Sequence, residues 1–154
     1  MTEKIKSNGS HIEYMYDAMN NLTGIKEDGK YTKLWIDYTR SHDNIIGMSA
    51  DDKVKEFIRA NGLIGMRYDS ESYAVLTDAI GSITKVIDTN FDIKEHHSYD
   101  EFGNDLCDSE EARVQNFGFA GVFLDDRLYH MKYRKYDTSI GRFLEEDPVE
   151  SEEN

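Results

Sequence analysis

The chain has 154 residues, with 18 Lys and Arg against 31 Asp and Glu, a formal net charge of −13. That length holds one domain, and the charge repels phosphate backbones and anionic membranes in the absence of a basic patch, which no run of bases supplies. Ten Tyr, seven Phe and one Trp exclude a wholly disordered chain, while the one cysteine, Cys107, excludes an internal disulfide and falls short of a zinc site.

In chain order, Met1 to Ser10 lacks the apolar core of a signal peptide, and no apolar run reaches the roughly 18 residues of a membrane span. No export address and no membrane insertion are expected of this chain, and its localisation stays open. Ile12, Tyr14 and Tyr16 alternate with Glu13 and Met15; Leu34 and Ile36 flank Trp35; Tyr73, Val75 and Thr77 alternate with Ala74 and Leu76. Ile83 to Asp88 and Tyr129 to Tyr136 also read better with period two than with 3.6, and all of these are predicted strands. Asp51 to Arg59 is ambiguous, because Val54, Phe57 and Ile58 would also form a helical stripe; it is read as a strand. From Glu145 onward come Glu145, Glu146, Asp147, Glu150, Glu152 and Glu153 with no base among them. Residues 148–154 are expected to be a solvated acidic tail on a single domain of residues 1–147.

The most informative signal is a repeated turn. Tyr16-Asp17-Ala18-Met19-Asn20-Asn21, Thr77-Asp78-Ala79-Ile80-Gly81-Ser82 and Tyr99-Asp100-Glu101-Phe102-Gly103-Asn104 each carry Asp at the first turn position and Asn or Gly at the fourth. Asp there can accept hydrogen bonds from the backbone ahead of it, and Gly takes positive φ without steric cost, with Asn next best. Each unit is then strand, tight turn, strand, and repetition of such hairpins implies that each buries its apolar face against its neighbours.

With these turns the chain resembles the Rhs (rearrangement hotspot) or YD-repeat family and its repeat-associated core. Tyr16-Asp17 through Asn21-Leu22 looks like one YD repeat, and Tyr73 to Asn104 resembles the family's most recognisable segment. Asp37 to Arg40 and Asn61 to Gly65 look like the pieces that lead into the core. Phe117 to Gly121, Leu128-Tyr129, Arg134, Tyr136-Asp137, Gly141-Arg142-Phe143-Leu144 and Asp147-Pro148 resemble its closing strands. The resemblance implies an all-β chain of antiparallel hairpins, a segment of a spiral sheet that closes a hollow shell. In that family the shell encloses a polypeptide toxin used in bacterial competition, and members are exported or sit at the cell surface. The implied partners are therefore the remainder of such a shell or a toxin cargo polypeptide, with self-association through cut strand edges also expected, and no nucleic acid.

Departures from the family pattern bear on function. There is room for about one YD repeat before the core, which cannot close a shell alone. Self-cleaving members carry two Asp-Pro-x-Gly motifs; the first would fall at Asp147-Pro148-Val149-Glu150, with Glu150 in place of Gly, and the second is missing. Asp147 is thus at most a vestigial catalytic candidate, and self-cleavage is not expected. Asp137-Thr138 replaces the usual Asp-Pro, and a loop Gly near Asp125 to Arg127 is missing, so that hairpin is shorter than usual.

Little else suggests chemistry. Asp125-Asp126 and Asp51-Asp52 read as turn solubilisers, and acid/base work needs two carboxylates in different environments at one pocket. His96 and His97, adjacent on a strand, point to opposite faces and cannot chelate together. Phosphate-loop, nucleophile-elbow and His-x-x-x-His motifs do not occur, and no cofactor or metal is called for. Tyr129 and Tyr133 share parity on a presumed strand and, with Tyr136, could line a carbohydrate-binding face, though core packing explains them as well. The expected function is a structural shell piece; the alternatives are a glycan- or cell-surface-binding module, or an orphan remnant without its own activity.

Overall fold

A computed structural model describes residues 3–6, 8–41, 44–107, 113–125 and 127–146. Ten antiparallel strands follow one another in chain order: β1 (Glu3–Ile5), β2 (His11–Tyr16), β3 (Leu22–Glu27), β4 (Lys30–Ile36), β5 (Ile45–Ala50), β6 (Lys53–Ala60), β7 (Gly62–Tyr68), β8 (Glu71–Thr77), β9 (Ile83–Asp88) and β10 (Ile93–His96). A second antiparallel sheet holds β11 (Leu124–Asp125), β12 (Leu128–Met131), β13 (Arg134–Asp137) and β14 (Arg142–Phe143), again in chain order. Neither sheet closes on itself, and among the described residues no helix is long and apolar enough to cross a membrane.

The ambiguous stretch is strand β6. Phe57 points into the core, 5% exposed, while Val54 and Ile58 look outward at 39% and 43%, so period two holds where a helical stripe would have buried all three. Tyr129 to Tyr136 needs correction. It is not one strand but the hairpin β12–β13, turning at Lys132-Tyr133 with Met131 opposite Arg134.

One face of the long sheet is apolar. Ile12, Tyr14, Leu34, Phe57, Met66, Val75, Ile83 and Val86 are buried on it and meet Phe117, Phe123 and Leu128 from the C-terminal part. Each side chain of this kind contributes roughly 1.5–3 kcal/mol when removed from water. On the opposite face, glycines are covered by aromatic neighbours: a Cβ at Gly24 would collide with the Tyr31 ring, and one at Gly47 with Trp35. These rings replace contacts that glycine cannot make.

The sheet bends at regular places. Bulges lie at Met15/Tyr16, Trp35/Ile36, Ile58/Arg59 and Leu76/Thr77, each near the strand end that leads into a turn on the same rim. A bulge adds a residue to one strand and increases its local twist. They recur on every second strand at one rim, with a further bulge at Ile93/Glu95 on the opposite rim, and the C-terminal segment lies on the apolar face.

Candidate functional site

The rim itself comes first. At Asp17, Met19 N–H and Asn21 N–H donate to Oδ1, both at 2.9 Å, and the Asn21 amide donates to Oδ2 at 2.9 Å. Asp100 repeats the pattern with Phe102 N–H at 2.8 Å, Asn104 N–H at 2.9 Å and the Asn104 amide at 2.8 Å. Asp78 takes Ile80 N–H and Ser82 N–H at 3.0 and 2.8 Å. The fourth positions have the left-handed conformation, with φ of 61° at Asn20, 89° at Gly81 and 83° at Gly103. The asparagine amide, with the backbone donors, holds the Asp17 and Asp100 carboxyls below the ordinary carboxylate range. A fourth turn of this type lies on the opposite rim, between β9 and β10, and starts at Asp88, which accepts Asn90 N–H and Asp92 N–H at 2.8 and 2.9 Å. Sequence reading misses it because Phe91, with φ of 69°, stands where Gly or Asn is expected. Asp137 belongs to a related turn, accepting Ser139 N–H at 2.9 Å ahead of Gly141 with φ of 62°.

The turns that share the opposite rim with Asp88 are tighter. Asp28-Gly29, Asp51-Asp52 and Asp69-Ser70 each have two positive φ angles, the arrangement whose twist matches a two-residue hairpin. Asp51-Asp52 therefore does sit in a turn. Asp125 does not: it lies on β11 and accepts the Tyr14 hydroxyl at 2.9 Å, while Asp126 is outside the described residues.

The second feature is a buried polar cluster that the sequence reading does not anticipate. Glu95 on β10 and His97 beyond it share the inward face, 8% and 4% exposed, while His96 is exposed. His97 Nε2 lies 2.9 Å from Glu95 Oε2, and its Nδ1 lies 2.5 Å from Asp105 Oδ2. Arg113 pairs with Asp105, Val114 N–H donates to Glu95, and the Gln115 amide donates to Glu95 Oε2 at 3.1 Å. Burial pushes the Glu95 carboxyl up, but the bonds from His97, Val114 and Gln115 outweigh it and hold the group below its usual range. Two carboxylates do converge here on one imidazole. The donors from His97, Arg113 Nη2, Val114 and Gln115 join the end of the long sheet to the chain that follows, which makes the cluster a fastening, while Arg113 Nη1 is buried without a hydrogen-bond partner. Among the described residues no group of three His, Cys, Asp or Glu is arranged to hold a metal ion.

The third feature is the seam where the small sheet meets β2. The His130 ring lies against Tyr14, centroids 4.8 Å apart, with Tyr16 Oη 3.5 Å from its Nδ1. Burial, with Lys135 nearby, pushes the imidazole down to about 3, so it is neutral at ordinary pH. Lys135 is buried beside it and pairs with Glu145 at 3.0 Å. Asn20 reaches across the seam to donate to Lys132 O at 2.6 Å.

The remaining predicted positions fall into the same framework. The Tyr99 hydroxyl donates to Ile83 O at 3.0 Å, and Tyr129, 1% exposed, donates to Gly103 O at 3.2 Å and accepts Phe119 N–H at 2.9 Å. Gly121 ends a short 3-10 turn, Phe119–Gly121, with φ of 68°. The Arg134 guanidinium lies 3.8 Å from the Phe143 ring centre, Tyr136 stacks edge-on with Phe143, and Arg142 is paired with Asp137 across the ladder. Asp147 and Pro148 lie outside the described residues. The carbohydrate-binding face does not form from Tyr129 and Tyr133: the first is buried with its hydroxyl engaged, and the second is 57% exposed in a turn.

A family model described as Teneurin YD-shell matches residues 1–153. Solved structures share the fold at low identity. A crystal structure of TcdB2-TccC3-TEV has a TM-score of 0.65 at 15% identity, covering 92% of this chain and 8% of that one. TcdB2-TccC3-Cdc42 gives 0.67 at 14%, with 95% and 9% covered. The Photorhabdus luminescens Tc holotoxin pore, carrying a TccC3 mutation, gives 0.65 at 13%, with 96% and 9% covered. The chain thus spans under a tenth of those chains. No curated protein matches it in sequence.

Proposed function

We propose that this chain, which belongs to the Teneurin YD-shell family, is a wall-and-stopper piece of a shell that encloses a toxin polypeptide, with no catalytic role of its own. The observation that supports this reading is the asymmetry of the long sheet's two edges. At one edge, β1 pairs only with β2 among the described strands, and Ile5 is 74% exposed. At the other, the chain that follows is fastened to the face of β10: Val114 and Gln115 donate to the Glu95 side chain, and Leu106 N–H bonds Ser98 O just beyond the strand. An uncovered strand edge is a template for another strand. The wall would extend from β1, and the C-terminal sheet would stopper it.

Light scattering tests the open edge. The chain alone should form a dimer or larger species, and co-expression with a polypeptide of YD repeats should replace it with a mixed complex. Ile5→Pro, which removes a donor that faces away from β2 and stiffens the edge strand, should abolish both. A monomer that ignores added repeats would overturn the reading. Self-cleavage at Asp147-Pro148 is not part of this proposal, and an intact mass that shortens on incubation would contradict it.

A further inference from the structure

One contact between β6 and the C-terminal segment brings a lysine amine against an asparagine carboxamide. Lys55 Nζ donates to Asn116 Oδ1 at 3.0 Å, between residues 61 positions apart in the chain. Both partners are held by their neighbours. Lys55 and Phe57 share the inward face of β6, where Phe57 meets Phe117 edge-on with centroids 4.9 Å apart and Lys55 Nζ lies 5.0 Å from the Tyr68 ring centre. On the other side, Asn116 O accepts Leu124 N–H at 2.9 Å, and the preceding residue, Gln115, is fully buried with its backbone N–H and its amide both on Glu95. Neither side chain is a loose surface group.

The chemistry of the pair goes further than a hydrogen bond. Attack on a carboxamide needs a neutral amine, and burial pushes the Lys55 ammonium down, against the Glu95 carboxylate, whose charge favours it. Desolvation of this kind is how proteins make lysine a nucleophile. The Asn116 carbonyl carbon is one bond beyond an oxygen that already touches Nζ, so the reacting atoms are held near each other by packing and no encounter has to be waited for. Among the described residues Asn116 Nδ2 makes no hydrogen bond that would retain it. Asn116 also lines a cavity of about 520 Å³, together with Asn104 and Arg113, into which a small leaving group can pass.

We propose that Lys55 and Asn116 join in an isopeptide bond, a covalent strap between the long sheet and the C-terminal segment. The neutral Nζ gives its electron pair to Asn116 Cγ, the Nζ–Cγ bond forms, and the Cγ–Nδ2 bond breaks. One proton passes from Nζ to Nδ2, which leaves as ammonia. Nothing is oxidised or reduced, and no co-reactant is consumed. The reaction occurs once per chain, on the chain's own atoms, and is independent of the shell reading.

Intact-mass measurement of the full chain, purified folded and then denatured, tests the proposal. The expected mass is lower than that of the sequence by one ammonia. Tryptic digestion should yield a branched peptide, residues 54–59 joined to residues 114–127, with no cleavage after Lys55. Lys55→Arg keeps the cation and removes the nucleophile, and Asn116→Ala removes the electrophile; each should restore the full mass expected for its sequence. Chain recovered from inclusion bodies in urea should carry the full mass and lose ammonia when the urea is diluted away, because the two groups meet only in the fold. A full mass in the folded parent would overturn the proposal and leave the pair as a hydrogen bond. So would an ammonia loss that persists in Lys55→Arg, or one without the branched peptide, since either would assign the loss to a cyclised asparagine elsewhere.

Discussion

The ten-stranded sheet and the segment from His97 to Glu146 are built on opposite plans. In the sheet every strand pairs with its sequence neighbours, the turns recur, and the bulges recur with them. In the later segment the strands have two to four residues, and the stabilising contacts reach far back along the chain: Tyr14 to Asp125, Asn20 to Lys132, Lys55 to Asn116, Ser82 to Ala120. Units that repeat gain stability from the next unit and so can be lengthened, whereas a segment that touches many strands at once can only be placed once. The difference teaches that local pairing builds the long sheet, whereas contacts distant in sequence place the C-terminal segment.

If that division is correct, the two regions should respond differently to damage. The largest effects belong to the closure. Phe117, 1% exposed and edge-on to both Phe57 and Phe123, joins the sheets; Phe117→Ala should cost about 3–5 kcal/mol in urea unfolding. Glu95→Ala removes the partner of His97, Val114 and Gln115, and breaking a buried pair this way should cost a similar amount, about 3–5 kcal/mol. Both should unfold in one transition; two separate transitions would break the comparison by showing that the sheet stands alone.

Next comes pH. His130 stays a neutral imidazole in the fold until about pH 3, whereas in the unfolded chain it gains its second ring proton near the ordinary histidine value. Below that value the unfolded state holds more protons, so the contribution is complete above about pH 6.5 and is lost as pH falls towards 3. From pH 7 to 5 this amounts to about 2 kcal/mol. His130→Phe keeps a ring against Tyr14 and should flatten that dependence, as urea midpoints at the two pH values would register; an unchanged slope would assign the acid sensitivity elsewhere.

The turns should show smaller effects. Asp100→Ala removes three acceptor contacts, two of them part-buried beside the closure, and should lower the melting midpoint by more than Asp88→Ala, which also removes three, Lys94 at 2.9 Å included, but at a turn exposed to solvent. Smallest is a gain: Phe91 is 88% exposed with φ of 69°, and Phe91→Gly relieves a left-handed conformation worth about 1 kcal/mol. A loss instead would mean that the exposed ring has a contact to keep.

The fold class was legible because its signals are local. Alternation on β2, β4, β8 and β9 and the Asp turns at 17, 78 and 100 depend on residues within one hairpin. Three features were not legible. The Asp88 turn escaped because its fourth residue is Phe. The β12–β13 hairpin read as one strand because the turn residues Lys132-Tyr133 carry no Gly or Asn and the alternation continues across them. The Glu95-His97 pair was not anticipated, because a charged pair on a buried face acquires meaning only from Asp105, Arg113 and Gln115 arriving from elsewhere.

The amino-acid sequence by itself determined that the chain is made of antiparallel hairpins, where several of them turn, and to which kind of repeat they are similar. Those properties follow from backbone sterics and side-chain parity over a few residues. Only the tertiary structure decided that the C-terminal segment lies on the apolar face of the long sheet, and that Glu95, His97, Asp105 and Gln115 meet in one buried cluster. These properties depend on which distant side chains meet, and that is set by packing and is not written in their spacing.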